Sequence, residues 1–161
     1  MKIIQYKRKR QGKTDYFART SLLRGRTPRL IVRKTNRYII AQIVESKEAQ
    51  DKVLFSISSK DLLKNGWDKS AENSLKSVPA AYLTGLLLGK KANGKVKKII
   101  VDFGLNRSIP GGRLYAVVNG IDDMKIETKC DKSMFPKKDI LDGKNVKNKI
   151  NFEEIKNKIM K

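Results

Sequence analysis

Guanidinium groups at short spacing bind phosphate, because each presents a planar fork of donors that phosphate oxygens accept in pairs. The N-terminal segment of this chain is rich in them. Lys7-Arg8-Lys9-Arg10, Lys13, Arg19, Arg24 and Arg26 follow one another, with Tyr6, Tyr16 and Phe17 in between. Residues 1–37 hold thirteen Lys+Arg, eight of them Arg, against one acid, Asp15, whereas beyond Arg113 every basic residue is Lys. A segment that repels itself so strongly points to a polyanionic partner, and nucleic acid is the commonest. Tyr16, Phe17, Leu22 and Leu23 give it apolar groups that can order on contact, which a purely solubilising tail lacks.

Residues for catalysis are sparse. The chain has no histidine, which removes His-based triads, His metal sites and the usual general base near neutral pH. Gly12-Lys13-Thr14 resembles the end of a phosphate-binding loop, but the glycine required five residues earlier is Lys7, and no strand precedes it. A two-metal nuclease needs converging carboxylates. Asp102, at the end of an apolar strand, is the one suggestive acid, and it reads better as a strand-end residue satisfying nearby loop amides. The first strand carries Arg29, Arg33 and Lys34 where a metal site would want acids, and no carboxylate occurs between Asp15 and Glu45. Asp122 and Asp123 are adjacent on a predicted helix, point about 100° apart, and read as solvated surface. Cys130 has no histidine to activate it and reads as a passive thiol. Neither a metal nor a cofactor is expected, and the chain reads as a binding protein, not an enzyme.

The elements that would hold the basic residues divide the 161-residue chain in three. Residues 1–28 form a basic arm punctuated by Gly12, Gly25 and Pro28. Residues 29–124 read as an α/β core domain, with seventeen Lys+Arg against nine acids, and residues 125–161 as a basic C-terminal extension, with eleven against six. In the core, Leu30-Ile31-Val32 leads through a turn at Thr35-Asn36-Arg37 into Tyr38–Val44. Residues 53–58 then alternate, with Val53, Phe55 and Ile57 on one face. Short connections favour an antiparallel meander. A brief helix is predicted over Ser59–Lys64, capped by Ser58 or Ser59. A longer one starts at Ser77-Val78-Pro79 and runs to Ala92 before Gly94. A fourth strand covers Lys98–Phe103, a second long helix Arg113–Met124, and a short terminal helix Phe152–Met160. Trp67, in a polar loop, reads equally as a base-stacking platform or a packing anchor. Gly85 and Gly89 share a helix face and are expected to let that helix press on the sheet. The single cysteine fits a reducing compartment, and the longest apolar stretch, Ala80–Gly89, is about half what a bilayer requires. No internal repeat is present.

Several ordered runs carry a family resemblance. Gly12-Lys13-Thr14-Asp15-Tyr16, the stretch from Pro28 through Arg29-Leu30-Ile31-Val32-Arg33-Lys34-Thr35-Asn36-Arg37 to Ile43, Pro79–Leu87, Asp102-Phe103-Gly104-Leu105 and Gly111-Gly112-Arg113-Leu114-Tyr115-Ala116 are its parts. Over residues 7–124 the chain resembles the archaeal and eukaryotic type of the 5S-rRNA-binding large-subunit ribosomal protein, number eighteen of the universal set. The resemblance implies a mixed sheet packed with helices, of ribonuclease-H-like topology without the acids. It also implies a cytoplasmic, ribosomal role in translation: binding 5S rRNA and anchoring it to large-subunit (23S-type) rRNA in the central protuberance, beside neighbouring large-subunit proteins and away from any membrane. The implied RNA-facing residues are Lys7, Arg8, Lys9, Arg10, Lys13, Thr14, Tyr16, Arg19, Arg24, Arg26, Arg29, Arg33, Asn36 and Arg37, with Arg107 and Arg113 from the Gly-rich loop. The tail departs from the family pattern, with Gly143-Lys144-Asn145 where a histidine tends to follow a glycine. The alternative is a non-ribosomal basic nucleic-acid-binding protein.

Overall fold

Five strands make one mixed sheet in the order β3-β2-β1-β4-β5. The computed structural model describes residues 4–47, 50–143 and 151–160. The strands are β1 (Arg29–Lys34), β2 (Ile39–Lys47), β3 (Gln50–Ser58), β4 (Lys98–Asp102) and β5 (Glu127–Thr128). The first three form the expected antiparallel meander, while β4 lies parallel to β1 and β5 parallel to β4. This arrangement is compatible with the ribonuclease-H-like topology that the resemblance implied.

Alternation along β1 divides its side chains between two faces. Leu30 and Val32 are buried with Ile39, Ala41, Ile43 and Ile57, and α3 (Val78–Ala92) packs over them. That helix is apolar nearly all round, as a helix enclosed on both sides must be. Ser77 Oγ accepts from the Ala80 N–H at its start, with Pro79 in the first turn. Against α3 lies α4 (Arg113–Asp122), which also packs on β1 and β5 and buries Leu114, Tyr115, Val117, Val118 and Ile121. Each fully buried Leu or Ile contributes about 1.5–3 kcal/mol relative to exposure.

Gly85 and Gly89 serve a different contact from the expected one. A Cβ on Gly85 would sit 2.2 Å from the Val117 carbonyl oxygen, and one on Gly89 would sit 2.8 Å from Met124 Cγ. On the facing helix, a Cβ on Gly120 would reach the Tyr82 carbonyl oxygen at 2.3 Å. Gly85 and Gly120 therefore let α3 and α4 touch backbone to backbone, a helix–helix contact in place of the helix–sheet contact expected.

Other expectations are adjusted locally. The Ser59–Asn65 segment is a 3₁₀ helix, with Ser58 Oγ accepting from the Lys60 N–H at 3.3 Å and Asp61 Oδ2 accepting from the Ser58 N–H at 3.0 Å. A second 3₁₀ segment, Lys69–Ser74, occupies the polar loop. There Trp67 is 2% exposed and donates from Nε1 to the Ala71 carbonyl at 3.1 Å, so it is a packing anchor. Val53 does not join Phe55 and Ile57. A bulge between Ile43 and Val44 resets the register, Leu54 takes the extra position, and Val53 is 49% exposed.

Asp122 and Asp123 also do more than face water. Tyr82 Oη donates to Asp123 Oδ2, and Thr128 Oγ1 donates to Asp122 Oδ1 at 3.2 Å. Burial raises the Tyr82 phenol well above its ordinary pKa, and the Asp123 carboxylate adds to the rise.

The C-terminal extension contributes to the same core. Ile126 and Leu141 are buried, the latter on α5 (Lys138–Leu141), and α6 (Phe152–Met160) lays Phe152, Ile155 and Ile159 into it. Lys144 and Asn145 of the divergent tail stretch lie outside the described residues. No helix among the described residues is long and apolar enough to cross a membrane.

Candidate nucleic-acid interface

The arm folds into two helices. α1 (Lys7–Arg10) is the basic run itself, and all four of its residues are exposed. Gly12, at φ +61°, provides the left-handed turn that ends it. Asp15, the only acid in the segment, is the N-cap of α2 (Tyr16–Arg24): its Oδ1 accepts from the Phe17 and Ala18 N–H groups at 2.9 and 3.1 Å. Arg8 Nε donates to Thr14 Oγ1 at 2.9 Å and ties α1 to the turn, while the Tyr6 and Tyr16 rings lie 5.1 Å apart. Asp15 was legible in the sequence as a cap, and it is the signal that would have revealed α2.

This arm lies over the sheet face opposite α3, beside the far ends of β1 and β4, and a cleft of about 530 Å³ opens between them. Arg8, Lys13 and Arg19 line it from the arm, Arg33 and Lys34 from the end of β1, and Gly104-Leu105-Asn106 from the loop after β4. Ala18, Leu22, Ile31 and Phe103 add apolar surface to it, and Asp15, Asp51 and Asp102 line it too, the first capping α2. Cations beside apolar side chains suit a phosphodiester chain whose bases or riboses need somewhere to lie. Lys34 belongs to this wall although the expected set omits it.

Beyond the cleft, Asn36 and Arg37 stand exposed at the β1–β2 tip, held by the Thr35 N–H donating to the Tyr38 carbonyl at 2.8 Å. Lys7, Lys9 and Arg10 point outward from α1. Arg24 is exposed at the end of α2, and Arg26 lines a separate shallow basin with Lys95, Lys97 and Lys98. That basin was not expected, though the Lys95–Lys98 cluster in the sequence is its trace. Arg107 is exposed in the loop, and Arg113 Nη1 donates weakly to the Lys76 carbonyl at 3.3 Å.

Arg29 requires a correction. Its side chain is 2% exposed, with Nη1 on Asp102 Oδ2 at 2.7 Å and Nη2 on Asp51 Oδ1 at 2.8 Å and Ser46 Oγ at 3.0 Å. A guanidinium enclosed by two carboxylates and a hydroxyl is not presented to an external phosphate. Arg29 and Arg33 share a face of β1 by parity, but the acids that cover Arg29 come from β3 and β4, remote in sequence.

Asp102 uses its other oxygen to accept from the Gly104 N–H at 2.9 Å, the loop-amide role expected of it. The Cys130 thiol is pushed up by burial and by the charges of Asp131 and Asp122, the opposite of what a nucleophile needs.

An α/β domain carrying a basic arm of this kind has the charge distribution of a nucleic-acid-binding protein. Residues 2–98 match the family described as ribosomal large subunit proteins 60S L5 and 50S L18. The large ribosomal subunit protein uL18 of Methanoregula boonei is 40% identical over 145 residues, spanning 89% of this chain and 81% of that protein. The uL18 proteins of Caldivirga maquilingensis and Methanoculleus marisnigri are each 40% identical as well, over 89% of this chain and 68% and 80% of their own lengths. The chain belongs to this family, uL18 of the large ribosomal subunit. It is a structural protein of the ribosome and not an enzyme.

Proposed function

We propose that this protein binds 5S rRNA and anchors it to the large-subunit rRNA in the central protuberance, against neighbouring large-subunit proteins. The observation that carries the reading is the cleft walled by Arg8 and Lys13 on one side and Arg33 and Lys34 on the other. Those four cations belong to residues 1–37, a segment of thirteen cations and one acid. Lys7, Lys9 and Arg10 extend the surface beyond the cleft, as do Asn36 and Arg37 at the hairpin tip. Thr14 and Tyr16 shape the turn between the arm helices. Arg24, Arg26, Arg107 and Arg113 form an outer ring of weaker contacts. Arg29 acts by holding this surface in place. Residues 1–28 are the arm of this division, 29–124 the domain that carries it and 125–161 an extension that completes the packing.

Filter binding across a salt series tests the reading. With about eight phosphates neutralised at roughly 0.7–0.9 of a unit each, log K falls against log salt with a slope of about −6 to −7. 5S rRNA should outcompete transfer RNA and duplex DNA. A slope near −1, or equal affinity for all three, would overturn it.

A further inference from the structure

Helix α2 lies along the sheet without burying any of its own residues. A nine-residue helix is marginal by itself in water, so its seating depends on a few side chains. Asp15 caps its start, and from its middle Arg19 Nη2 reaches Asp51 Oδ2 at 2.8 Å. The other oxygen of Asp51 accepts from Arg29 Nη2 at 2.8 Å and from Ser46 Oγ. Arg29 is in turn fixed by Asp102 at 2.7 Å. One carboxylate on β3 thus joins a guanidinium from the arm to a guanidinium inside the sheet.

We propose that Asp51 is a positioning residue that seats the basic arm, holding the Arg8–Lys13 wall of the cleft opposite the Arg33–Lys34 wall. The inner end of the bridge is rigid, because Arg29 is 2% exposed and bonded on three sides. The outer end is adjustable, because the Arg19 and Asp51 side chains remain 34% and 28% exposed. Arg19 consequently serves Asp51 and is withdrawn from the phosphate-contacting set. A preordered arm binds with less ordering entropy to lose.

The inference rests on the RNA-binding reading only for what the seating is used for. A charge count and the bridge predict opposite outcomes for Asp51→Asn. Removing an acid raises the net charge and by electrostatics alone tightens binding to RNA. Loss of the seat weakens it.

The experiment uses the full-length protein with Asp51→Asn, and with Arg19→Gln, which cuts the bridge without depriving Arg29 of a partner. Limited chymotrypsin digestion reads the seating through cleavage at Tyr16 and Phe17, and filter binding with 5S rRNA reads its use. Both variants should be cut about two- to fivefold faster than wild type, the range expected for a partly exposed ion pair. Asp51→Asn should bind the RNA more weakly despite its added charge. Unchanged cleavage in the folded variants overturns the proposal, as does tighter binding by Asp51→Asn. If Asp51→Asn fails to fold, Arg19→Gln decides by its cleavage rate. If wild type shows no preference for 5S rRNA while cleavage still accelerates, the seating stands and the RNA reading falls.

Discussion

Arg29 Nη1 and Asp102 Oδ2 meet at 2.7 Å across the parallel β1–β4 pair. Arg29 opens β1, Asp102 closes β4, and in the register Ile31 is level with Asp102, so the pair spans a diagonal on one face of the sheet. The strand end where a metal-dependent nuclease would gather carboxylates is occupied by a cation already paired with both acids beside it, Asp51 and Asp102. A divalent ion placed there would face a buried guanidinium.

Asp102→Asn should therefore change stability and not chemistry. The amide keeps an acceptor for Gly104 but leaves Arg29 with one carboxylate, Asp51. The cost is about 1–3 kcal/mol, that of weakening a largely buried hydrogen bond to a charged group. Urea denaturation measures it. Labelled RNA incubated with Mg²⁺ or Mn²⁺ should stay intact with wild type and variant alike.

Gly85→Ala and Gly120→Ala test the contact between α3 and α4. The added methyl group in each meets a backbone carbonyl at 2.2 or 2.3 Å, and no side chain can rotate to make room. The helices must move apart, at a cost of about 1–3 kcal/mol for overpacking. Thermal melting should show the loss. An equal melting temperature for Gly85→Ala would mean that the backbones do not touch.

Legibility in the sequence followed the range of the interaction. Short-range signals served well: the Leu30–Val32 and Tyr38–Val44 runs marked β1 and β2, Ser77 and Pro79 marked the start of α3, and the helix expected over Phe152–Met160 is α6. Signals that depend on a distant strand were misread. Val53 shares parity with Ile57, but a bulge in the pairing with β2 breaks that parity. Arg29 looks like every other arginine of the N-terminal run until Asp51 and Asp102 arrive from 22 and 73 residues away. Two-residue β5 is too short for any period to reveal. In the candidate interface, charge marked the segment from which the proposed surface is built. Which cations converge was decided by Asp15 and Asp51, the acids that fold the arm and tie it to the sheet.

Acid should release the arm before it unfolds the core. Burial opposes ionisation of Asp51. The hydrogen bond from Ser46 and the charges of Arg29 and Arg19 outweigh it and hold the carboxyl below its ordinary range. A carboxyl whose pKa is lowered on folding contributes fully above its unfolded value, about 3.9, and loses that contribution as pH falls through the folded one. Amide resonances of Ala18 and Leu22 should keep their seated positions from pH 7 to about 5 and shift below about 4. Asp51→Asn should lack this transition. A shift centred near pH 6 would assign the arm's seating to some other group.

Deleting residues 1–26 separates the labour of arm and domain. The deletion removes α1 and α2, neither of which buries a residue, and one ion pair, Arg19–Asp51. It spares Arg29 with both its carboxylates, and it spares the Pro28 carbonyl that accepts from the Ile100 N–H at 3.0 Å. The remaining chain should fold, with a far-UV circular dichroism spectrum reduced only by the two arm helices and a nearly unchanged melting temperature. Its RNA affinity should fall. With Lys7, Arg8, Lys9, Arg10 and Lys13 gone, the salt slope should become shallower by about 4. Phosphate contacts position a protein without specifying sequence, so the truncated domain should still prefer 5S rRNA over transfer RNA through Arg33, Asn36 and Arg37. An unfolded product would make the arm part of the core despite its exposure. A folded product without preference would move recognition from the β1–β2 hairpin into the arm.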